Sequence, residues 1–429
     1  MRINCVHNCL VCATDTDREV YQKRVIMNRI TRFSIKNFRC FSDIVVKFPE
    51  VSPLTFLIGL NGSGKTTFLQ ALGFVGSLMR GDVEEWLKTR GWTLNSLPTK
   101  PSPNRKSLIE IEVEGQVDIS AQNCSIKKFV WTASFNTSAT QARCTSEKIT
   151  LSDSSSDEKI DAIKISDGRL FIDQKSSALT FNYIGSVLSQ LNDKIRNKIQ
   201  GLEEVYKFLS AIHSFDTLST RNLRRPSFPA PTIGMNGENL AGYIANRSEQ
   251  QQIQLSKPLH DFYSWLSHIE TIDLETGKKA LRVVENIGTS LYKKNGKYQN
   301  KYFKRAAINT NDGTLRLLAI LSVIQFPHGI VLFDEIENGF NPQVIQKLIE
   351  LLYESSQQII LSTHSPEILQ YVKEDEIEES VKFFYRKKDG TTGIIDFFKA
   401  TEPAKKLQRL LPGEVFLDTN IEELIKTIL

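Results

Sequence analysis

The sequence predicts an α/β fold whose strand–helix alternation is split between an N-terminal and a C-terminal stretch, with an antiparallel β meander and a helical subdomain inserted between them. Three observations predict it. The run LTFLIG at 54–59 is nearly all apolar, as a strand buried on both faces must be. It passes through a glycine-rich turn into KTTFLQALGFVGSLMR, whose apolar residues recur at helical spacing. Strand–helix–strand alternation then returns at GIVLFDE, PQVIQKLIELLYESS and QIILSTH.

Taken in order, residues 1–26 fit the rest poorly. Cys5, His7, Cys9 and Cys12 crowd together ahead of a polar stretch that runs to Met27. Thiolates and imidazole at a C-x3-C-x2-C spacing suit zinc, but no second ligand pair lies nearby. The other reading is a dispensable extension with Met27 as the natural initiator. Residues 27–106 form the N-terminal part of the core. There ITRFSIKNFRCFSDIVVKF reads as two antiparallel strands meeting at the Asn37-Phe38-Arg39 corner, and LTFLIG and its helix follow.

Residues 107–183 read as a β meander through SLIEIEVEG, KKFVWTASF, DAIKISDG and GRLFIDQ, with the Ser and Asp tract around Ser154 as a surface loop. Residues 184–300 read as a helical and mixed subdomain. SVLSQLNDKIRNKI, EEVYKFLSAI and LHDFYSWLSHI repeat apolar residues three and four apart, broken by Pro226, Pro229 and Pro231. Residues 301–400 complete the core and 401–429 form a helical tail. No heptad pattern persists and no internal repeat is present.

Composition excludes some classes of function. With 40% apolar and 24% charged residues and no apolar run of the roughly 18 residues a span needs, a membrane protein is not expected. The N-terminus has no export signal, and six cysteines in 429 residues make no disulfide framework, so a cytoplasmic location is expected. A net charge of +5, 54 basic less 49 acidic residues, permits nucleic acid contact without demanding it.

Two motifs carry chemistry. Gly59-Leu60-Asn61-Gly62-Ser63-Gly64-Lys65-Thr66 fits G-x4-G-K-[ST], in which glycines turn backbone N–H groups toward the β and γ phosphates of ATP. Asn61 and Ser63 lie within that loop. Lys65 supplies charge, Thr66 offers a hydroxyl to Mg²⁺, and Thr67 continues the helix whose positive end faces the phosphates. The strand Ile330-Val331-Leu332-Phe333 ends in Asp334 and Glu335. Such a pair divides its work: Asp334 holds the metal through its water shell, and Glu335 orients the attacking water.

The segments beyond these two acids resemble those of the ABC ATPases. Glu337-Asn338-Gly339-Phe340-Asn341-Pro342 is similar to their D-loop, and Ser362-Thr363-His364-Ser365 places His364 as the switch histidine that contacts the γ-phosphate. Asn309-Thr310-Asn311-Asp312-Gly313-Thr314-Leu315-Arg316 resembles the signature of OLD-like and RecF-like members, often S-D-G-T, with Asn311 at the serine position. Asparagine still donates a hydrogen bond, though with a different shape. Asn37-Phe38-Arg39 matches an N-F-R corner in which the arginine, here Arg39, approaches the nucleotide. No Q-loop glutamine is assigned.

The resemblance covers Met27 to about Lys373, firmly at both ends and loosely between. It implies a homodimer or higher oligomer in which each signature loop, through Asn311, Asp312 and Gly313, closes the partner's site. The I-E-N-G-F-N-P ending looks most like stand-alone OLD-like ATPases of bacterial antiphage systems, such as those of the Septu type. That implies a sensor ATPase controlling a separately encoded nuclease or toxin. A RecF-like repair ATPase that binds DNA directly, and a slow nucleotide-switched scaffold, are the alternatives. Only 65 residues follow His364, fewer than the roughly hundred a Toprim nuclease domain needs. They read as a closing hairpin, VKFFYRKKDGTTGIIDFFKA, and a docking helix after GEVFLD.

A basic segment remains. Lys293, Lys294, Lys297, Lys301, Lys304 and Arg305 interleave with Tyr292, Tyr298, Tyr302 and Phe303. The mixture suits phosphate contacts and base stacking, and it equally suits a solvated hairpin turning at Asn295-Gly296. Arg221, Arg224 and Arg225 form a second such cluster.

Overall fold

The computed structural model describes residues 28–99, 107–119, 126–138, 142–153, 158–166, 168–172, 175–179, 181–216, 218–294, 297–325 and 329–428. The cysteine-rich segment at 1–26 and the tract at 154–157 lie outside them.

The chain begins with a hairpin, β1 (Arg29–Phe38) and β2 (Phe41–Lys47), before β3 (Leu54–Gly59) and the helix α1 (Lys65–Arg80). A short helix α2 (Val83–Thr89) precedes the meander: β4 (Leu108–Asp118), β5 (Ile126–Asn136), β6 (Cys144–Asp153), β7 (Lys159–Ser166), β8 (Arg169–Ile172) and β9 (Lys175–Ala178). The meander is not separate from the hairpin. β4 pairs antiparallel with β1, so one eight-stranded sheet runs β2-β1-β4-β5-β6-β7-β8-β9. Burial alternates strictly along β4 and β5, the sign of one packed and one solvated face.

The next region departs from its helical expectation. α3 (Leu202–Ser210) forms, followed by the edge strand β10 (His213–Phe215) and α4 (Glu249–Phe262). SVLSQLNDKIRNKI, however, is a 3-10 turn at Val187–Ser189 and a single helical turn at Asp193–Arg196. Ser186 and Asn192 each accept a bond from a nearby main-chain N–H, at 3.1 and 2.9 Å, and so restart the chain twice. LHDFYSWLSHI also divides: α4 stops at Phe262, Tyr263 turns extended, and β11 (Leu266–Asp273) begins. β11 joins β12 (Lys279–Lys294) and β13 (Lys297–Ala306) in a three-stranded sheet that begins in the stretch read as helical and mixed and runs past its end at 300. Apolar residues three and four apart over so few positions fit either structure.

The C-terminal part runs α5 (Asp312–Ile324), β14 (Ile330–Phe333), α6 (Pro342–Tyr353), β15 (Gln358–Ser362) and the hairpin β16 (Val381–Arg386) and β17 (Thr392–Asp396). GEVFLD lies in a helix, Pro412–Asp418, and Ile421–Ile428 is the last helix. The central sheet has the order β10-β14-β15-β3-β16-β17, parallel except for β17.

The strands β3, β14, β15 and β16 each feed two cores. Leu57, Ile330, Leu332, Ile360 and Phe384 face a core shared with α1 and the antiparallel sheet. Their neighbours Phe56, Ile58, Val331, Phe333, Ile359, Leu361 and Phe383 face a second core with α5 and α6. The period-two alternation of strand side chains makes that division, and the strands are predominantly apolar because both faces are covered. The protein is thus an α/β head in which α1 lies between two sheets. Among the described residues no helix is long and apolar enough to cross a membrane.

Candidate functional site

Because β14, β15 and β3 lie side by side and parallel, their C-terminal ends emerge together. Three segments distant in sequence, Gly59–Thr67, Asp334–Asn338 and Ser362–His364, therefore meet at one edge of the sheet.

The loop after β3 is shaped where no side chain fits. At Gly59 (φ 140°) a Cβ would stand 2.3 Å from the Phe384 carbonyl oxygen, and at Gly64 (φ 111°) 2.7 Å from Thr392 Oγ1. The β16–β17 hairpin pins the loop from that side: Thr392 Oγ1 donates to the Ser63 carbonyl at 2.8 Å and its N–H to that of Cys40 at 3.0 Å. Gly64 gives α1 no side-chain cap and the first turn has no acid, so the leading N–H groups are available to an anion. Asn61 and Gly62 are exposed, Thr67 is half-buried, and the buried Ser63 Oγ has no partner.

Lys65 Nζ donates to the Gly59 carbonyl at 2.8 Å and the Leu60 carbonyl at 3.3 Å, and lies 3.5 Å from His364 Nδ1. Burial pushes its pKa down to about 8, against the opposing pull of Asp334, Glu335 and Glu337. Thr66 Oγ1 lies 2.9 Å from Asp334 Oδ2 and 3.2 Å from Oδ1. Ser362 Oγ donates to Asp334 Oδ1 and accepts the Glu335 N–H at 2.8 Å. Burial raises the Asp334 pKa, with Glu335 and Asp216 adding to the rise and the Ser362 and Thr66 bonds opposing it. Hydroxyl and carboxylate oxygens at one point are a donor set that suits Mg²⁺, which keeps much of its water.

Glu335 adopts φ 49°, rare for a side chain of this kind, and so turns away from the strand. Asn338 Nδ2 donates to its Oε2, and His364 Nε2 stands 3.7 Å from its Oε1. Glu337 Oε1 accepts the His364 N–H at 2.6 Å. Lys65, His364 and Glu335 thus form one connected group.

The signature-like residues are tied elsewhere. Asn311 caps α5, its Oδ1 accepting from Thr314 N at 2.8 Å. Asp312 pairs with Arg224, which also donates to the Thr310 carbonyl at 2.9 Å, so one member of the 221–225 cluster braces this loop. A Cβ on Gly313 would be 2.8 Å from the Gly339 carbonyl oxygen, and Arg316 donates to the Asn338 carbonyl at 3.0 Å. The start of α5 is thereby packed on the turn after Glu335. The Arg39 guanidinium lies 4.1 Å over the Trp92 ring and donates to the Ser96 carbonyl at 3.3 Å.

Sequence reasoning missed Asp216. It follows β10 as Asp334 follows β14, lines a small cleft with Asp334, Glu335, Arg316 and Asn338, and is held by Arg90 and by Ser214 Oγ, each at 3.0 Å. The signal was HSFD, a three-residue strand followed by an acid. Three residues are too few for a strand to be recognised. Thr392 was missed as well, lying beyond the stretch that carries the motif resemblance.

A phosphate loop on a central parallel strand, an acid at the next strand end but one, and a histidine on the strand between define a P-loop ATPase-type core. The chain belongs to the family described as "AAA domain, putative AbiEii toxin, Type IV TA system", which matches residues 54–370. An OLD nuclease of Thermus scotoductus (strain ATCC 700910 / SA-01) is 40% identical over 65 residues, 15% of this chain and 11% of that protein. The chain therefore matches about a tenth of that relative's length. Among solved structures, an SmcHead bound to the C-winged helix domain of ScpA aligns with a TM-score of 0.46 at 14% identity, over 85% of this chain and 96% of that one. The SMC head domain from Thermotoga maritima aligns at 0.43 and 12%, over 86% and 98%.

Proposed function

We propose that this chain binds and hydrolyses Mg-ATP, and that two copies pair head-to-tail so that the α5 start of one closes the phosphate loop of the other. The observation that carries the reading is the single cluster of Lys65, Thr66, Asp334, Glu335 and His364 at the sheet edge. Lys65 and the first N–H groups of α1 would hold the β and γ phosphates, and Thr66 and Asp334 would hold Mg²⁺. The metal would neutralise charge developing on the phosphate oxygens. Glu335, steadied by Asn338, would orient the attacking water, and His364 would sense the γ-phosphate. Asn311, Asp312 and Gly313, engaged on their own head by capping and by Arg224, would present the α5 N-terminus to the partner's nucleotide.

We further propose that the dimer is a cytoplasmic sensor ATPase of an antiphage complex and governs a separate nuclease or toxin. The family description and the OLD nuclease relative support this direction. Phosphate-release assays on the purified chain, wild type against Glu335→Gln, test the ATPase. Affinity purification from the native host tests the effector. Wild-type turnover by Glu335→Gln would contradict the assigned chemistry, and a chain recovered without any nuclease or toxin would contradict the assigned role.

A further inference from the structure

The central sheet ends at β10, and among the described residues no strand pairs with its outer edge. Phe215 gives its carbonyl to the Asp334 N–H at 3.2 Å, toward β14, so the main chain of Ser214, one residue back, turns outward. On that outer side the Ile212 carbonyl accepts Arg80 Nη1 at 3.1 Å. Beyond it lies a cleft of about 320 Å³, floored by β10 and walled by α2 with its leading turn on one side and the loop 232–239 on the other. That volume falls within the roughly 300–1,000 Å³ of ligand sites.

Two buried polar atoms border the cleft without a partner. Trp86 is 4% exposed, and its Nε1 makes no hydrogen bond although Arg90, 4.2 Å over the ring, fixes its plane. That nitrogen stands 3.8 Å from the place of a Cβ on Gly73, which also lines the cleft. Asp82 Oδ1 is unpaired as well, while Oδ2 takes Arg80 Nε at 2.7 Å. A buried donor and a buried acceptor left unmade are costly, and a ligand that supplies both partners recovers that cost.

Charge narrows the ligand. Glu85 is exposed and Glu238 half-buried on opposite walls, and among the described residues neither forms an ion pair. Arg80, the one Lys or Arg among the described lining residues, is committed to Asp82 and to the Ser210 and Ile212 carbonyls. The cleft therefore repels phosphate groups and attracts a cation. A bare amine would answer the carboxylates but has no acceptor for Trp86 Nε1 or the Ser214 main chain. A peptide backbone has both donor and acceptor.

We propose that this cleft docks an extended basic segment of a partner protein, which adds to β10 as a further strand and sets Lys or Arg side chains against Glu85 and Glu238. β10 runs on to Asp216, which shares a small cleft with Asp334 and Glu335, so a strand docked here lies one step from those acids. The docking does not depend on ATP turnover.

Fluorescence anisotropy on the full chain tests it, with a labelled heptapeptide of alternating arginine and valine as probe. The comparison ligands are the same peptide N-methylated along its backbone, a glutamate–valine peptide and spermidine. Glu85→Gln/Glu238→Gln is expected to lose at least about tenfold in affinity for the arginine peptide. Trp86→Phe, which keeps a ring and removes the N–H, should lose about fivefold. Hydrogen exchange at 213–216 should slow when the peptide binds. The site is rejected if the wild type does not bind the arginine peptide, or if both variants bind it with wild-type affinity. Strand addition is rejected if the N-methylated peptide or spermidine binds as tightly as the peptide, or if exchange at 213–216 is unchanged.

Discussion

Thr66 and Asp334, 268 positions apart in the chain, meet through a hydroxyl 2.9 Å from one carboxylate oxygen and 3.2 Å from the other. The carboxyl they share with Ser362 is held above its ordinary pKa chiefly by burial. A carboxyl whose folded pKa is raised binds more protons folded than unfolded, so it favours folding at low pH and opposes it as pH rises through the folded value. Asp334→Asn is therefore expected to raise the melting temperature of the nucleotide-free protein at neutral pH by roughly 1–3 °C. The same variant should lose Mg²⁺-dependent ATP hydrolysis by at least about 100-fold. Calorimetric melts and a phosphate-release assay read the two effects, and a lower melting temperature would remove the argument from burial.

Lys65 makes a prediction of opposite sign. Its pKa is depressed to about 8, so between about pH 8 and its ordinary value the folded nucleotide-free chain binds fewer protons than the unfolded one. Stability from this group should rise across that window. ATP needs the charged form, so its affinity should fall above about pH 8, by at most about tenfold per pH unit. Titration calorimetry in buffers of different ionisation enthalpy would show proton uptake on binding above pH 8. Lys65→Ala should abolish nucleotide binding, and affinity that ignores pH in the wild type would mean that Lys65 is not the phosphate ligand.

Glu335→Gln should retain ATP binding while hydrolysis falls by at least about 100-fold, because the amide cannot take up a proton and the Asp334 carboxylate stays in place. Asn338→Ala, which removes the donor to Glu335 Oε2, should give a milder loss in kcat with little change in KM. Sedimentation of the Glu335→Gln chain with ATP should show a dimer that the wild type forms only transiently. A monomer at every ATP concentration would argue against the paired heads.

Mixing settles whether the α5 loop acts on its own head or on a partner. Gly313→Glu places a side chain against the Gly339 carbonyl and spoils the loop, while Lys65→Ala spoils the phosphate site. Each is expected to be inactive alone, and together they should rebuild one working site in a mixed dimer. Mixed dimers without activity would show that loop and phosphate site must share a chain.

Arg224 gives an independent handle on the same loop. Arg224→Ala leaves Asp312 without its partner and the Thr310 carbonyl without its donor. ATP affinity should persist while the ATPase rate drops by about tenfold or more, the loop being positioned rather than chemically altered. Equal losses in ATP affinity and rate would instead indicate general unfolding, visible as a lower melting temperature.

Local pattern was enough to read the phosphate loop, the acids after β14, the histidine after β15 and the strands that carry them. These elements are long or fully apolar and end in residues with one chemical use. The hairpins β1–β2 and β16–β17 and the meander strands around KKFVWTASF were legible in the same way, through their apolar and alternating runs. The end of LHDFYSWLSHI, from Leu266, was misread as helix, because apolar spacing over short runs fits helix and strand alike and only pairing with β12 selects the strand. Tertiary packing was needed to bring Asp216 into one cleft with Asp334 and Glu335, to bring Thr392 beside the loop after β3, to lay Arg39 on Trp92, and to brace Asp312 with Arg224. Each of these contacts joins residues far apart in the chain. A sequence records which side chains are available, and only the lateral order of the strands fixes which of them share an edge.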